Sequence, residues 1–177
     1  MAAGLISKVC NLSTGKDDYE AFHGQLTNAL QKAEFFSKSL LKRVDLDPHA
    51  FGEVMAALTM PEEPEAAAGK AREEAIQRGY KGAAESALGI ARECLGVLSV
   101  AETLLGKSNP NALSELAVAS LQAYAGLEGA IMSLEMNFPA LKDEKLVASD
   151  AAEGRTLLEK GRDIKNSIRK YVSERIG

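Results

Sequence analysis

Two aspartates one residue apart, Asp45 and Asp47, stand before Pro48, His49 and Ala50 at a break in an apolar periodic segment. At such a junction one carboxylate can accept hydrogen bonds from the free N–H groups of a helix start. The other, if withdrawn from water, would have the raised pKa that suits a proton-transfer group. Spacing alone makes capping the commoner use. Asn109, Asn111, Ser114 and Glu115 crowd around Pro110, where they can bond a planar heterocycle or cap their own backbone. Arg72, Gln77 and Lys81 share one helical stretch, with Gln77 and Lys81 on one face and Arg72 rotated from them; solvation is the ordinary use of such a face. Asn137 precedes a break at Phe138 and Pro139, and Asp143 and Glu144 follow it, which is the pattern of a helix end and then a helix start.

Other chemistries lack their residues. Cys10 and Cys94 have neither a CxxC neighbour nor a nearby His, and are expected as buried free thiols. His23 and His49 are the only histidines and lie far apart, so no metal site is implied. No GxSxG, P-loop or GxGxxG before a strand occurs, which leaves carboxylates as the acid/base candidates.

The elements that must position these groups are helices. The chain is rich in alanine, lacks β-branched runs, and places Gly and Pro between periodic segments, so an all-α array of about seven helices is expected. Leu5, Ile6, Val9 and Cys10 form one stripe of a first helix that stops at Ser13, Thr14 and Gly15. Asp17 or Asp18 can cap a second, whose seam of Tyr19, Phe22, Leu26, Ala29, Ala33, Phe36 and Leu40 suits an intramolecular bundle, a dimer or a coiled coil. Asp45, Asp47 and Pro48 should end it and open a short helix with Phe51, Val54, Met55 and Leu58 inward, broken again by Met60 to Pro64. Residues 65–105 read as helix, with a kink or division expected near 82–88 from Gly79, Gly82 and Gly89. Asn109 can cap and Pro110 open a helix to about Asn137, whose Ala119, Ala123, Gly126, Gly129 and Ala130 invite close packing. A last helix, about Glu144 to Arg175, shows Leu157, Ile164, Ile168 and Val172 on one stripe and a solvated basic face of Arg162, Lys165, Arg169 and Lys170.

With 177 residues, 21 Lys+Arg against 25 Asp+Glu and 46% hydrophobic residues, the chain reads as one domain with one core. Its pI of about 5.3 argues against nucleic acid as a partner. No apolar run approaches the roughly 18 residues of a membrane span, and the start lacks a signal-peptide pattern, so no membrane partner and a cytoplasmic protein are expected.

Read in order, several segments resemble the cyclodeaminase/cyclohydrolase family, which includes the carboxy-terminal domain of formiminotransferase-cyclodeaminase and bacterial methenyltetrahydrofolate cyclohydrolases. They are the approach to Asn11-Leu-Ser-Thr-Gly-Lys16, Asp45-Leu-Asp47-Pro-His-Ala50-Phe51, Val54-Met-Ala-Ala-Leu-Thr-Met60-Pro61 and Arg72-Glu-Glu-Ala75-Ile76-Gln77. Asn109-Pro-Asn-Ala-Leu-Ser114-Glu115, Ala125-Gly-Leu-Glu-Gly-Ala130 and Asn137-Phe-Pro-Ala-Leu-Lys-Asp143-Glu144 follow, so the resemblance spans nearly the whole chain.

The resemblance implies a helical homodimer with folate chemistry in a groove partly shaped by subunit association. It implies either ring closure of 5-formiminotetrahydrofolate with loss of ammonia, or hydrolysis of 5,10-methenyltetrahydrofolate to 10-formyltetrahydrofolate. A tetrahydrofolate derivative would then be the substrate, with no tightly bound cofactor. Asp45 and Asp47 match the family's paired acids as catalytic residues. Asn109, Ser114, Asp143, Arg72 and Gln77 match polar positions for substrate binding, and Arg72 or Lys81 could meet the anionic tail. Members begin with a Pro-Gly-Gly-Gly-Ser segment, whereas this domain, 1–177, enters at Met1-Ala-Ala-Gly4. Ser86-Ala87-Leu88 replaces a Val-Pro-Leu turn, which would fuse two helices, and Ser114-Glu115 replaces Ser-Asp. A non-catalytic folate-binding or interaction module is the alternative that the missing glycine-rich entrance raises.

Overall fold

A computed structural model describes residues 1–60 and 66–176, with the side chains of 44–51, 66–68 and 176 outside the description. Among the described residues there are five α-helices: α1 (Ala2–Ser13), α2 (His23–Leu58), α3 (Ala66–Thr103), α4 (Leu113–Asn137) and α5 (Glu144–Ile176). Short 3₁₀ turns at Asp17–Phe22, Pro110–Ala112 and Phe138–Ala140 join them. The fold is all-α, as the periodicity predicts, with fewer and longer helices than the seven expected.

Two predicted breaks are absent, and one cause accounts for both. α2 runs unbroken through Asp45 and Pro48, and α3 runs unbroken through residues 82–88. The two helices lie antiparallel and close, because glycines of α3 leave room for side chains of α2. A Cβ on Gly79 would stand 3.0 Å from Val54, one on Gly89 would stand 2.5 Å from the Arg43 guanidinium, and one on Gly96 would overlap the Phe36 ring. These contacts lie on both sides of Pro48. An interior proline costs roughly 3 kcal/mol of helix stability, and tertiary packing on either side of Pro48 offsets that loss. The glycines that weaken α3 as an isolated helix are thus the ones that seat its neighbour.

A polar tie reinforces the same contact. Glu93 Oε1 accepts from Ser39 Oγ at 2.9 Å and from Arg43 Nε at 2.6 Å. The predicted seam of α2 faces the core: Leu26, Ala29 and Ala33 are buried, and Tyr19, Phe22, Phe36 and Leu40 pack partly against them. Further along, Val54 and Ala57 are buried, whereas Met55 and Leu58, expected to face inward, are exposed because the continuous helix turns them to solvent. Phe51 and residues 61–65, including Pro61 and Pro64, lie outside the described residues.

Ile6, Val9 and Cys10 of α1 are buried as its stripe predicts, and Gly15 ends the segment with a positive φ of 77°. Asp17 and Asp18 lie within the following 3₁₀ turn rather than capping α2, since that turn starts from Lys16 and neither side chain bonds a helix end. α4 packs against α3, α1 and α5. Only one side of its small-residue set is covered: Ala119, Ala123 and Ala130 are buried, and Ala125, Gly126 and Gly129 are exposed. On α5, Leu157, Ile168 and Val172 are buried and Ile164 packs partly, while Lys165 stands 4.4 Å over the Tyr124 ring. No helix among the described residues is long and apolar enough to cross a membrane.

A paired substitution checks the role of the contact glycines. Gly96→Ala is expected to lower stability by about 1–3 kcal/mol through overpacking against Phe36, and Gly82→Ala, where a Cβ meets open space, to raise it by about 0.5–1 kcal/mol. Urea unfolding of both variants measures the difference, and equal effects would contradict this packing.

Candidate functional site

The sequence-predicted site residues fall in three places. Asn109 and Ser114 sit at the start of α4. The Asn109 N–H donates to Ser13 Oγ at 2.8 Å, its Oδ1 accepts from the Asn111 N–H at 3.0 Å, and Ser114 Oγ donates to Glu115 Oε2 at 2.8 Å. Asn109 is therefore a cap that also fastens the end of α1, the bland use that spacing favours.

Arg72, Gln77, Lys81 and Asp143 gather near the opposite end of α4. Its 25 residues separate the two groups by about 37 Å of helix rise. Gln77 Nε2 donates to the Ala140 carbonyl at 2.9 Å, and its Oε1 accepts from the Lys142 N–H at 2.9 Å. Lys81 Nζ meets Asp143 Oδ2 at 2.9 Å, and Asp143 Oδ1 caps α5 by accepting from the Leu146 N–H at 3.1 Å. The Lys81 ammonium and that backbone donor hold the Asp143 carboxyl below its ordinary pKa. Arg72 reaches back to the carbonyls of Leu58 and Met60 at 3.2 and 3.1 Å, a cation at the end of α2. All four residues make bonds that join helix ends. Asn109 and Ser114 do not come near them.

Asp45 and Asp47 are the third place. The backbone there belongs to α2, and the two side chains lie outside the described residues. The junction at which one of them was expected to cap is not formed, since the helix continues through it. Asp45 comes four residues, one turn, after Leu41, which lines a cavity of about 440 Å³. The first residues of α1 close one end of this cavity, and Leu40 and Leu41, Cys94 and Val97, and Ala123 and Ala125 form its walls. Burial pushes the Cys94 thiol up to about 11, with the Glu93 charge adding to the effect, so this wall stays neutral. The small residues Ala2, Ala3, Ala123 and Ala125 leave the space open. The first residues of α1 and Ala125, the first residue of the Ala125-to-Ala130 run, thus border one groove, and Leu41, one turn before Asp45, borders it from α2.

A larger cavity, about 830 Å³, lies between the first half of α2 and the second half of α3, beside Phe35, Phe36 and Gly96. None of the sequence-predicted site residues whose side chains are described lines it. Sequence reasoning missed both cavities; the only signal was the set of Gly and Ala positions, which reads equally as helix packing.

The family model described as Formiminotransferase-cyclodeaminase matches residues 1–156. A methenyltetrahydrofolate cyclohydrolase of Methylorubrum extorquens is 33% identical over 178 residues, covering 99% of this chain and 84% of its own. The crystal structure of a formiminotetrahydrofolate cyclodeaminase from Thermotoga maritima superposes with a TM-score of 0.90 at 19% identity, over 100% of this chain and 84% of that one.

The start of α4 carries a pH prediction. The Lys8 ammonium, 2.8 Å from Glu115 Oε1, and the Ser114 hydroxyl lower the Glu115 pKa from 4.5 to about 2. A depressed carboxyl pKa contributes stability above the unfolded value, and that contribution is lost as pH falls from about 4.5 toward about 2. Lys8→Met is expected to flatten the acid limb of a melting-temperature profile over that window, and added salt to act in the same direction. An unchanged acid limb would contradict the pairing.

Proposed function

The chain belongs to the formiminotransferase-cyclodeaminase family, and from that premise we propose that it is a folate one-carbon enzyme acting at the amidine-like carbon between N5 and N10. Hydrolysis of 5,10-methenyltetrahydrofolate to 10-formyltetrahydrofolate is the first reading. The observation that carries it is the 33% identity to a methenyltetrahydrofolate cyclohydrolase along 99% of the chain. Cyclodeamination of 5-formiminotetrahydrofolate is the second, favoured by the family description. The comparisons do not favour the inactive alternative.

The chemistry asks for a base and a dry cleft. The methenyl carbon shares a positive charge with N5 and N10, so it accepts a nucleophile once water loses a proton. A carboxylate takes that proton as the water oxygen bonds to the carbon. The hydroxyl proton then passes to N5 as the C–N5 bond breaks, leaving a formyl group on N10 and one proton released. For cyclodeamination N10 attacks the same carbon and its proton passes to the imino nitrogen; the carboxylic acid then protonates that nitrogen as its bond to the carbon breaks, and ammonia leaves the methenyl cation. We assign the carboxylate to Asp45 or Asp47, on the turns of α2 that follow Leu41 and Arg43, of which Leu41 lines the groove. Arg72, Gln77, Lys81 and Asp143 serve by fixing the helix ends around it. A tetrahydrofolate derivative is the substrate, with no further cofactor required by these steps.

The active form is proposed to be a cytoplasmic homodimer. α4 carries an uncovered apolar stripe of Val118, Leu121, Ala125, Gly129, Met132 and Met136, with Leu121, Met132 and Met136 exposed by 52, 62 and 82%. The stripe is self-complementary. A two-fold axis through Ala125 would set Leu121 of one copy over Gly129 of the other, where a Cβ meets open space. Ala125 also lines the 440 Å³ cavity, so a second copy here would border the groove. Leu121→Glu with Met132→Glu is expected to shift the sedimentation coefficient to that of a monomer; a wild-type monomer would contradict the assembly.

Turnover is tested by following methenyl absorbance with either folate. Asp→Asn at the true acid/base position should lower kcat by about 10²- to 10⁴-fold while the other variant keeps most of its activity. Wild-type rates in both Asp45→Asn and Asp47→Asn would overturn the assignment, and no turnover of either substrate by the native protein would overturn the activity.

A further inference from the structure

We propose that the 440 Å³ cavity ahead of α1 is the pterin subsite of this reaction, and that Gln122 recognises the lactam edge of the ring. The inference rests on the folate reading above. Among the described residues, Ser37 and Gln122 are the polar side chains that line an otherwise apolar cavity. Gln122 Oε1 is buried and accepts no hydrogen bond. A buried acceptor without a partner is costly in a folded protein and is retained where a ligand or water completes it.

The chemistry of that acceptor selects a ligand. A primary amide presents an acceptor and a donor side by side. The pterin ring presents their complement, the N3–H donor beside the C4 carbonyl. The two form a cyclic pair in which Gln122 Oε1 accepts from N3–H and Gln122 Nε2 donates to the carbonyl oxygen. Ser37 Oγ, across the cavity on α2, is the second group available to the exocyclic amine. Apolar walls of Leu40, Val97 and the neutral Cys94 suit the faces of a flat ring, and the cavity volume lies in the range that holds a small ligand.

The larger cavity beside Phe35 offers no equivalent. Its amide residues, Gln25, Asn28 and Gln31, are exposed to water, and none carries a buried unpartnered atom. Ring orientation in the smaller cavity also fits the reaction. With the lactam edge held at Gln122 on α4, the N5 and N10 side of the molecule can extend along α2 toward the turn that bears Asp45.

Titration calorimetry of the full chain tests the assignment, using tetrahydropterin, 5-formyltetrahydrofolate and p-aminobenzoylglutamate as probes. Gln122→Leu is expected to weaken the two pterin-bearing ligands about tenfold and to leave p-aminobenzoylglutamate, which has no lactam, unchanged. The free variant should melt no lower than the native protein, because the substitution removes an unpartnered acceptor. Gln122→Met repeats the test with an unbranched side chain should the leucine variant fold poorly. Native affinity for the pterin-bearing ligands in either folded variant, or an equal loss for all three probes, would overturn the role of Gln122 and leave the folate reading standing. No binding of any folate by the native protein would overturn that reading and this inference together.

Discussion

Close approach of α2 and α3 is the constraint on which the remaining geometry depends. Three glycines of α3 receive Val54, Arg43 and Phe36 from the antiparallel helix, and Glu93 accepts from both Ser39 and Arg43 across the same contact. Because these contacts continue past Pro48, α2 stays one rod where its local sequence asks for a break. The rod carries the Asp45 turn to a fixed place relative to the rest of the bundle. A broken helix would leave that turn to the freedom of a loop, and the proton-transfer role proposed for it requires a group held within hydrogen-bond reach of its substrate.

The groove arises from the same arrangement. α2 and α4 both pack on α3, and α1 packs against both of them. Where α1 begins, small residues at Ala2, Ala3, Ala123 and Ala125 leave a cavity instead of a core. Bonds at the helix ends keep its walls in register. Gln77 and the Lys81–Asp143 pair hold the α4–α5 connection to α3, and Asn109 holds the start of α4 to the end of α1. Gln77, Lys81, Asp143 and Asn109 thus brace the helices around the cleft.

Helical class, the seam of α2 from Tyr19 to Leu40, the first helix with its stop at Gly15 and the cap at Asn109 were all legible, because each is a local pattern with a local cause. The continuity of α2 and α3 was not. Pro48, Gly79 and Gly89 are helix breakers in isolation, and only the facing helix turns them into tolerated or useful residues. Asp17 and Asp18 read as caps for a similar reason, since composition cannot distinguish a cap from the first turn of a 3₁₀ segment. Gln77 and Lys81 were correctly placed on one face, but what that face touches, the segment from Ala140 to Asp143, lies more than sixty residues away in the chain. Gln122 had no local signature at all. Its interest comes from burial without a partner, a property that exists only once four helices have come together. The family resemblance supplied Asp45 and Asp47, which spacing alone reads as caps.

A crystal structure of the protein with 5-formyltetrahydrofolate measures the central claim directly. The account predicts the pterin ring between Leu41, Gln122 and Ala125, with the formyl-bearing nitrogen toward the Asp45 turn of an unbroken α2. A ring seated instead in the cavity beside Phe35, or a helix divided at Pro48 in the complex, would contradict it.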